Sequence, residues 1–558
     1  MIKRLISVVI FLSLFALFYH PITAINQDLG RHLLTGNIIL STKTIPTVNL
    51  FSYTHPDFPF INHHWFSEVI YSLLYSISGF HGVLIFSTAI ILLSFFLLYK
   101  FVYKDASTFG LMVASIFFLG LIADRTDVRP EIFSALCISI FLTTLFSFQK
   151  HPSRKIFFLI PLQILWTNMH IYFPIGLFLI GIFLINDFIT NKYKLNQKLF
   201  FVTIGVTLAT LVNPHGITGA LYPFVVLQNY GYSIEENQTM LFLWKLLGKQ
   251  NIIIYFIGSL WAVCTLLFST HKKNFVYWSL ILSGIILTYM QERNELLLVL
   301  FSFIPMTAVT TDVLKNISKN SKTLLTVVLL GTLFWVVTPY IQNRGLGFGL
   351  PEYAKNGVDF MIKNKITGPM FNNFDIGSYL EYRLYPEGKV FIDGRPEAYP
   401  SSFLQSEYIP MQENPTVFEK LDEKYGFNAV FFFYPDQTPW AAQFTKSIIS
   451  NPKWSLVYLD GNTIILLKKN EKNKKLISSF EMHPDSLHIS DDLKNKEVVS
   501  HLLFLFSNLE WKNELIQMVE KTIQIDPNNC YSLYYLGANG TNEALRGMYA
   551  QRFTTLCK

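Results

Sequence analysis

Charge is what this sequence is short of. Asp, Glu, Lys and Arg make up 15% of its 558 residues, against roughly a quarter in a soluble globular protein. The shortage is uneven. Residues 1–341 carry 22 Lys and Arg and 13 Asp and Glu, a net of +9; residues 342–558 carry 23 and 25, a net of −2; together they give the overall +7. The first part is therefore charge-poor and the last part has ordinary soluble composition. That excludes a single soluble domain and a disordered chain. The positive surplus lies in the apolar part, which speaks for orientation in a membrane and against a nucleic-acid partner. Cysteine is scarce as well: four residues do not make a disulfide scaffold. Cys137 and Cys264 fall in apolar runs, and Cys530 and Cys557 fall in the tail, where a disulfide stays open. No Cys-x-x-Cys occurs, so neither a zinc knuckle nor a thioredoxin-type site is indicated.

What the chain has instead is apolar length. Hydrophobic residues reach 51%, Phe alone counts 51, and mean hydropathy is +0.34. Runs near the length of a bilayer span, about 20 residues, occur at roughly 5–24, 82–103, 107–123, 131–149, 172–189, 198–212, 251–270, 275–290, 294–311 and 322–341, with a shorter one at 156–168. The expected number of spans is about eleven. The first run has the outline of a signal peptide (Lys3 and Arg4, an apolar stretch, then Ile-Thr-Ala), but a multispanning chain needs no separate one. Basic residues set the orientation. With a cytoplasmic N-terminus, fifteen fall in short cytoplasmic loops and seven in longer opposite ones. Eleven crossings then put everything from about 342 onward outside the cytoplasm.

Residues 346–470 read as a small α/β domain. Pro369–Phe371, Lys389–Ile392, Ala429–Phe433, Ser455–Tyr458 and Thr463–Leu467 look like strands, with helices near 352–364, 414–424 and 438–450. A polar linker, Glu471–Lys475, leads to a helical tail over 476–558. There, Met518 to Gly537 resembles the junction of two tetratricopeptide repeats. One such unit cannot bury its own face, so the tail reads as a packed helical cap or remnant that offers itself to a protein partner.

The unusual polar residues gather on one side of the membrane. The first loop, about 25–80, holds Asn26-Gln-Asp28, Arg31-His32, Gly36, Phe51-Ser-Tyr53 and Asn62-His-His-Trp-Phe-Ser-Glu68. Later loops on that side hold Asp124-Arg125, Arg129-Pro-Glu131, Trp166-Thr-Asn-Met-His170, Asn213-Pro-His-Gly216 and Glu292-Arg-Asn-Glu295. Each admits a plain reading. Asp28 sits where an N-cap would precede a helix starting near Leu29, or it is a catalytic carboxylate. His32, one turn on, supports it. Tyr53 and Trp65 suit interfacial anchors. Arg125 and Arg129 pair with Asp124 and Glu131, or bind phosphate. Asn213 to Gly216 makes a turn. Adjacent His63 and His64 are a weak metal signal, because neighbours on a helix do not face one way. The coincidence of five such groups on one face is the stronger observation.

These residues resemble GT-C-type membrane glycosyltransferases, which take a sugar from a polyprenyl-phosphate carrier at the outer face of the membrane. Asp28-x-x-x-His32-x-x-x-Gly36, Pro46-x-x-x-Leu50-Phe-Ser-Tyr53, Asn62-His-His-Trp65, Arg129-Pro-Glu131, Trp166-x-Asn-x-His170, Asn213-Pro-x-Gly216 and Arg293-Asn294 are similar to a bacterial subgroup of that family. In the tail, Asn373-Phe-Asp-x-Gly-x-Tyr-Leu380 and Val390-Phe-Ile-Asp-Gly-Arg395 match its external domain. The resemblance covers about 1–470. It implies a polytopic α-helical membrane protein of about eleven transmembrane helices (1–341), with an extracytoplasmic small α/β domain (346–470) and a C-terminal helical segment (476–558), in the bacterial cytoplasmic membrane. Oligosaccharyltransferase-like members hold a divalent metal with Asp-x-Asp. Here Gly30 breaks that dyad, which favours metal-independent chemistry of the protein-mannosyltransferase-like kind. No cofactor is expected, and a divalent metal stays open.

The implied reaction is inverting transfer of a sugar from a polyprenyl-phosphate donor to a glycan, lipid or protein acceptor, within membrane lipid. A phosphate leaves without a general acid, so one carboxylate suffices as base; Asp28 is that residue. Substrate-binding candidates are His32, His64, Arg125, Arg129, Asn168, His170, His215 and Arg293, the arginines because a guanidinium offers paired donors to phosphate. A non-catalytic scaffold for envelope assembly and a polysaccharide polymerase or ligase are the alternatives. A transporter fits less well, because mid-span positions are almost wholly apolar.

Overall fold

The structure is a computed structural model that describes residues 2–226, 231–232, 234–248, 250–483, 493, 495–540 and 543–557. Each of the apolar runs lies largely within a helix. In chain order these helices are Ile2–Phe18, Trp65–Tyr103, Thr108–Ile122, Glu131–Lys150, Leu159–Met169, Pro174–Thr190, Gln197–Ala209, Gln250–Phe268, Phe275–Met290, Glu295–Val313 and Lys319–Arg344. Five of the described helices are long and apolar enough to cross a membrane, and shorter apolar helices accompany them. The chain is a multi-pass helical membrane protein. Its bundle core is built from Leu, Ile, Val and Phe side chains of nearly all these helices. The second helix starts 17 residues earlier than its apolar run and breaks at Gly79 (φ 62°, ψ −162°). Trp65 to Ser78 is therefore a separate helical arm that belongs to the first loop.

That loop is more ordered than its composition suggests. Leu29–Thr42 is a helix. Its amphipathic face lays Leu29 and Leu33 against the bundle core. Residues 43–64 then run without regular structure to the helical arm at Trp65.

The sheet of the second unit is four-stranded, with β1 Met370–Asn372, β2 Ala429–Phe433, β3 Trp454–Leu459 and β4 Thr463–Lys468 in the order β1-β2-β4-β3. β1 pairs with β2 in parallel, and the other two pairings are antiparallel. Helices Lys355–Lys363, Pro415–Tyr425 and Ala441–Ile449 fall where expected. Two features differ from the sequence reading. Residues 389–392 are not a fifth strand of the sheet: Val390 bridges Ser52 of the first loop instead, with Tyr53 N–H donating to Val390 O and Val390 N–H to Phe51 O, both at 3.1 Å. And Phe374–Leu384 is a helix, which carries the Asn373 to Leu380 motif over the Ile392–Asp393 backbone.

Those contacts make the first loop part of the sheet unit. Phe60 is buried among Phe371, Phe391 and Phe403, and Ile25 among Val358, Tyr379 and Val390. In the tail, helices Lys496–Asn508, Lys512–Ile525, Cys530–Asn539 and Glu543–Leu556 follow one another, and Cys530 is disulfide-bonded to Cys557. Residues 484–492, 494, 541–542 and 558 of the expected tail lie outside the described residues.

Candidate functional site

Asp28 occupies the N-cap position of Leu29–Thr42, yet its side chain accepts no capping hydrogen bond. An Asp there ordinarily bonds the N2 or N3 amide. This one turns to Arg31 instead, whose Nη2 donates to Asp28 Oδ1 at 3.1 Å. Arg31 is 8% exposed and Asp28 33%, so the carboxylate keeps an opening while its cation is buried. Burial pushes the Asp28 pKa up, but Arg31 and Arg129 outweigh it and hold the carboxyl below its usual range. Cations win, and Asp28 is ionised at neutral pH.

His32, one turn along, is buried and donates from Nδ1 to Glu68 Oε1 at 2.9 Å. Asn62 Nδ2 donates to the other Glu68 oxygen at 2.6 Å, and Arg31 Nη1 lies 3.8 Å from Oε1. Glu68 thus fixes both His32 and Arg31 around Asp28. Burial, then Arg31, lower the His32 pKa, so the ring is neutral and its Nε2 is left as an acceptor. His64 packs edge-on to His32 at 5.5 Å between ring centroids and lies 5.2 Å from His170. His170 Nδ1 meets the Ser134 hydroxyl at 2.8 Å. Ser134 Oγ in turn accepts from Trp166 Nε1, which leaves its proton for His170 Nδ1 and puts the ring proton on Nε2. Trp65 Nε1 donates to Asn168 Oδ1 at 2.8 Å. That bond pins the start of the helical arm to the end of Leu159–Met169 and so sets His64 against His170.

The arginines form the next wall. Arg129 Nη2 donates to Gln27 Oε1 at 2.7 Å, beside Asp28 in the chain. Arg129 Nη1 donates to Glu236 Oε1 at 2.6 Å. Arg125 Nη2 reaches both Glu131 Oε2 and Glu236 Oε2 at 3.3 Å. Arg293 Nη1 donates to Asn237 Oδ1 at 3.2 Å. Burial would raise the Glu236 pKa, but Arg129 and Arg125 hold it far below the carboxylate range.

From the other side comes the turn Asp393-Gly-Arg395. A Cβ built on Gly394 would stand 3.6 Å from Asp28 Oδ1, so the turn's backbone closes over the carboxylate. Arg395 itself is spent inside the turn: Nε and Nη2 donate to Asp393 at 2.8 and 2.7 Å, and Nη2 also donates to Asn49 Oδ1 at 2.9 Å. Its guanidinium covers the Phe60 and Phe51 rings at 4.8 and 5.3 Å. The turn is thus held by its own Asp393/Arg395 pair, which additionally clamps the first loop.

Asp28, His32, His64, His170, Arg125, Arg129 and Arg293 are therefore neighbours, drawn from helix ends far apart in sequence. Asn168 stands close by, with its amide engaged by Trp65, Ile164 and Val212. His215 is not brought in: among the described residues no hydrogen bond, ion pair or ring contact joins it to this group, and Asn213 Oδ1 accepts from its backbone N–H in a turn. Glu236 is absent from the sequence-based candidates, and Glu68 stands in a quoted motif there without a role. Their signal was rarity, because each is one of only 13 acids in the first 341 residues.

A divalent cation does not suit the surroundings of Asp28. The group facing its carboxylate is the Arg31 guanidinium. The second acid of an Asp-x-Asp has no room: a Cβ at position 30 would lie 2.8 Å from Tyr382 Cβ. No group of three or more His, Cys, Asp or Glu among the described residues is arranged to hold a metal.

No family model matches the chain, and no curated protein does. Solved structures do. The oligosaccharyltransferase of Archaeoglobus fulgidus, tethered with an acceptor peptide, aligns with TM-score 0.59 at 10% identity, over 84% of this chain and 74% of that one. The same organism's oligosaccharyltransferase AglB, in complex with an inhibitory peptide and a dolichol-phosphate, aligns with TM-score 0.53 at 10% identity, over 94% and 86%. ArnT from Cupriavidus metallidurans aligns with TM-score 0.50 at 10% identity, over 86% and 98%. The chain has the fold of GT-C-type polytopic membrane glycosyltransferases, and at this identity the likeness is one of fold.

Proposed function

We propose that the chain is a glycosyltransferase that moves a sugar from a polyprenyl-phosphate donor to an acceptor hydroxyl, on a glycan, lipid or protein, with inversion at the anomeric carbon. The observation that carries this reading is Asp28: a carboxylate at a helix start that does not cap the helix, is held ionised by Arg31, and stays one-third exposed beside the 393–395 turn. In the proposed reaction the acceptor hydroxyl gives its proton to the Asp28 carboxylate. Its oxygen bonds to the anomeric carbon from the face opposite the phosphate. The bond from that carbon to the phosphate oxygen breaks, and the electron pair leaves with the polyprenyl phosphate, which gains a second negative charge. No general acid is needed for such a leaving group. Arg125, Arg129 and Arg293 supply fixed donors where that charge grows. His32, His64 and His170 line the wall between base and arginines.

Three things support the donor class: the guanidinium cluster beside Asp28, the apolar bundle below it, and a fold shared with a protein that binds dolichol-phosphate. The basic-residue bias argues for a cytoplasmic N-terminus, so that the site, the sheet unit and the tail face outward from a bacterial cytoplasmic membrane. The test is incubation of the purified chain with a panel of polyprenyl-phosphate sugars, with released carrier measured by mass. Asp28→Asn lowers release by about 10²–10⁴, the share of a general base, with thermal unfolding unchanged. Wild-type release by Asp28→Asn refutes Asp28 as base. A second reading, a scaffold that holds a partner through its tail, is favoured by a groove of about 400 Å³ lined by Leu503, Phe504, Tyr531, Tyr534 and Tyr535. On that reading neither the wild type nor Asp28→Asn releases carrier.

A further inference from the structure

Three guanidiniums, those of Arg125, Arg129 and Arg293, gather beside Asp28, and among them stand two carboxylates, Glu131 and Glu236. Around these three cations the two acids are the direct ion-pair partners that hold Arg125 and Arg129. The cluster also keeps donors in reserve: Nε of Arg125 and Nε of Arg293 are buried without a hydrogen-bond partner. A buried N–H left unpaired is costly, and an oxyanion with more oxygens than a carboxylate would relieve that cost.

The two acids are held differently. Glu131 opens the helix Glu131–Lys150 and is fixed by it. Glu236 sits in a three-residue turn, Glu235–Asn237, with its side chain 29% exposed and ion-paired to Arg129 and Arg125 at 2.6 and 3.3 Å. Around it, Gln238 O accepts from Glu292 N–H and Tyr232 stacks on Phe374 of the sheet unit at 4.4 Å. So Glu236 sits on a short turn against the arginines, and it engages two guanidiniums that a phosphate would need.

We infer that the Glu236 carboxylate is a built-in stand-in for the donor's phosphate: it occupies the Arg125/Arg129 donors in the ligand-free chain and is displaced when a lipid phosphate binds. The inference rests on the transferase reading and deepens it, by naming which groups take the phosphate and what must leave first. Two roles follow. The stand-in keeps closely placed cations from repelling one another while the site is empty, and it makes phosphate binding move the Glu235–Asn237 turn. A ligand that must displace an internal competitor shows an apparent affinity reduced by the fraction of open chain. Removing the competitor's charge removes that tax.

The experiment measures binding of undecaprenyl phosphate, with undecaprenol as the arm lacking phosphate, to the full chain in nanodiscs. Glu236→Gln binds undecaprenyl phosphate about tenfold tighter than wild type, with undecaprenol binding unchanged. Glu236→Asp, which keeps the charge but is one methylene shorter, falls between them. Wild-type hydrogen exchange supplies the readout that needs no variant: the Asn237 and Gln238 amides, bonded to Ile234 O and Glu235 O, exchange faster once undecaprenyl phosphate is added. Equal or weaker binding by Glu236→Gln, or unchanged or slower exchange in the wild type, overturns the stand-in while leaving the transferase reading intact. No phosphate-dependent binding by either chain overturns that reading, and the stand-in with it.

Discussion

Replacing Arg395 with Met tests how the site is closed. The side chain is 4% exposed, and its partner Asp393 is fully buried. Water therefore screens the pair little, and the discount that applies to surface ion pairs does not apply here. Arg395→Met keeps the apolar stem but leaves the Asp393 carboxylate, which Tyr399 also bonds at 2.8 Å, buried without its cation. Removing one partner of such a pair costs about 3–5 kcal/mol. The lost cation–π contact with Phe60 is worth roughly 1–2 kcal/mol and is part of that figure rather than an addition to it. Adding Asp393→Asn removes the orphaned charge, so the double variant should recover a coupling energy of about 2–3 kcal/mol. The assay is unfolding of the four chains of this double-mutant cycle in detergent, followed by intrinsic tryptophan fluorescence, alongside carrier release. Arg395→Met loses release as well, because Asn49, Phe51 and Phe60 no longer hold the first loop against the turn. A single variant within about 1 kcal/mol of wild type, or no coupling in the cycle, refutes the clamp.

Two further outcomes follow from the same corner. Glu381 is buried beside Asp393, and burial, then Asp393, raise its pKa well above 4.5. The folded chain thus keeps a proton that the unfolded chain has released, so stability should fall as pH rises above about 4.5; Glu381→Gln should flatten that slope in unfolding curves taken between pH 5 and 8, and an unchanged slope would exonerate Glu381. At Gly394, a Cβ would stand 3.3 Å from Ser378 Oγ and 3.6 Å from Asp28 Oδ1, so Gly394→Ala should fold normally. Gly394→Val adds methyl groups against the exposed third of the carboxylate and should raise the acceptor KM by about tenfold, a 1.4 kcal/mol penalty, with undecaprenyl phosphate affinity unmoved. An unchanged KM would put the acceptor elsewhere.

Much of the fold was legible because its signals are local. Long apolar runs form helices, and short continuous apolar runs such as Ala429–Phe433 and Thr463–Lys468 form strands. What was not local was misread. Val390 and its neighbours have strand composition, but their partner is Ser52, more than 300 residues away, and nothing in a short window names that partner. In the site, Asp28 and the arginines were legible as charges in a charge-poor half. Asp28's protonation was not, because it depends on whether burial or Arg31 prevails, and that is a matter of distances. Glu236 is not legible because the acids near the arginines in sequence, Asp124 and Glu131, already offer partners, whereas a carboxylate 111 positions from Arg125 shares the work.

The seam between Ser52, Phe60 and the 390–395 segment has a practical consequence for engineering. Chimaeras that graft a relative's C-terminal half at the end of helix Lys319–Arg344 would carry a turn whose clamp residues, Asn49 and Phe60, stayed behind in the recipient. Grafts that exchange residues 25–60 along with the C-terminal half keep both sides of the seam. Acceptor preference would then travel with two separated stretches of gene, and recombination between them would be selected against.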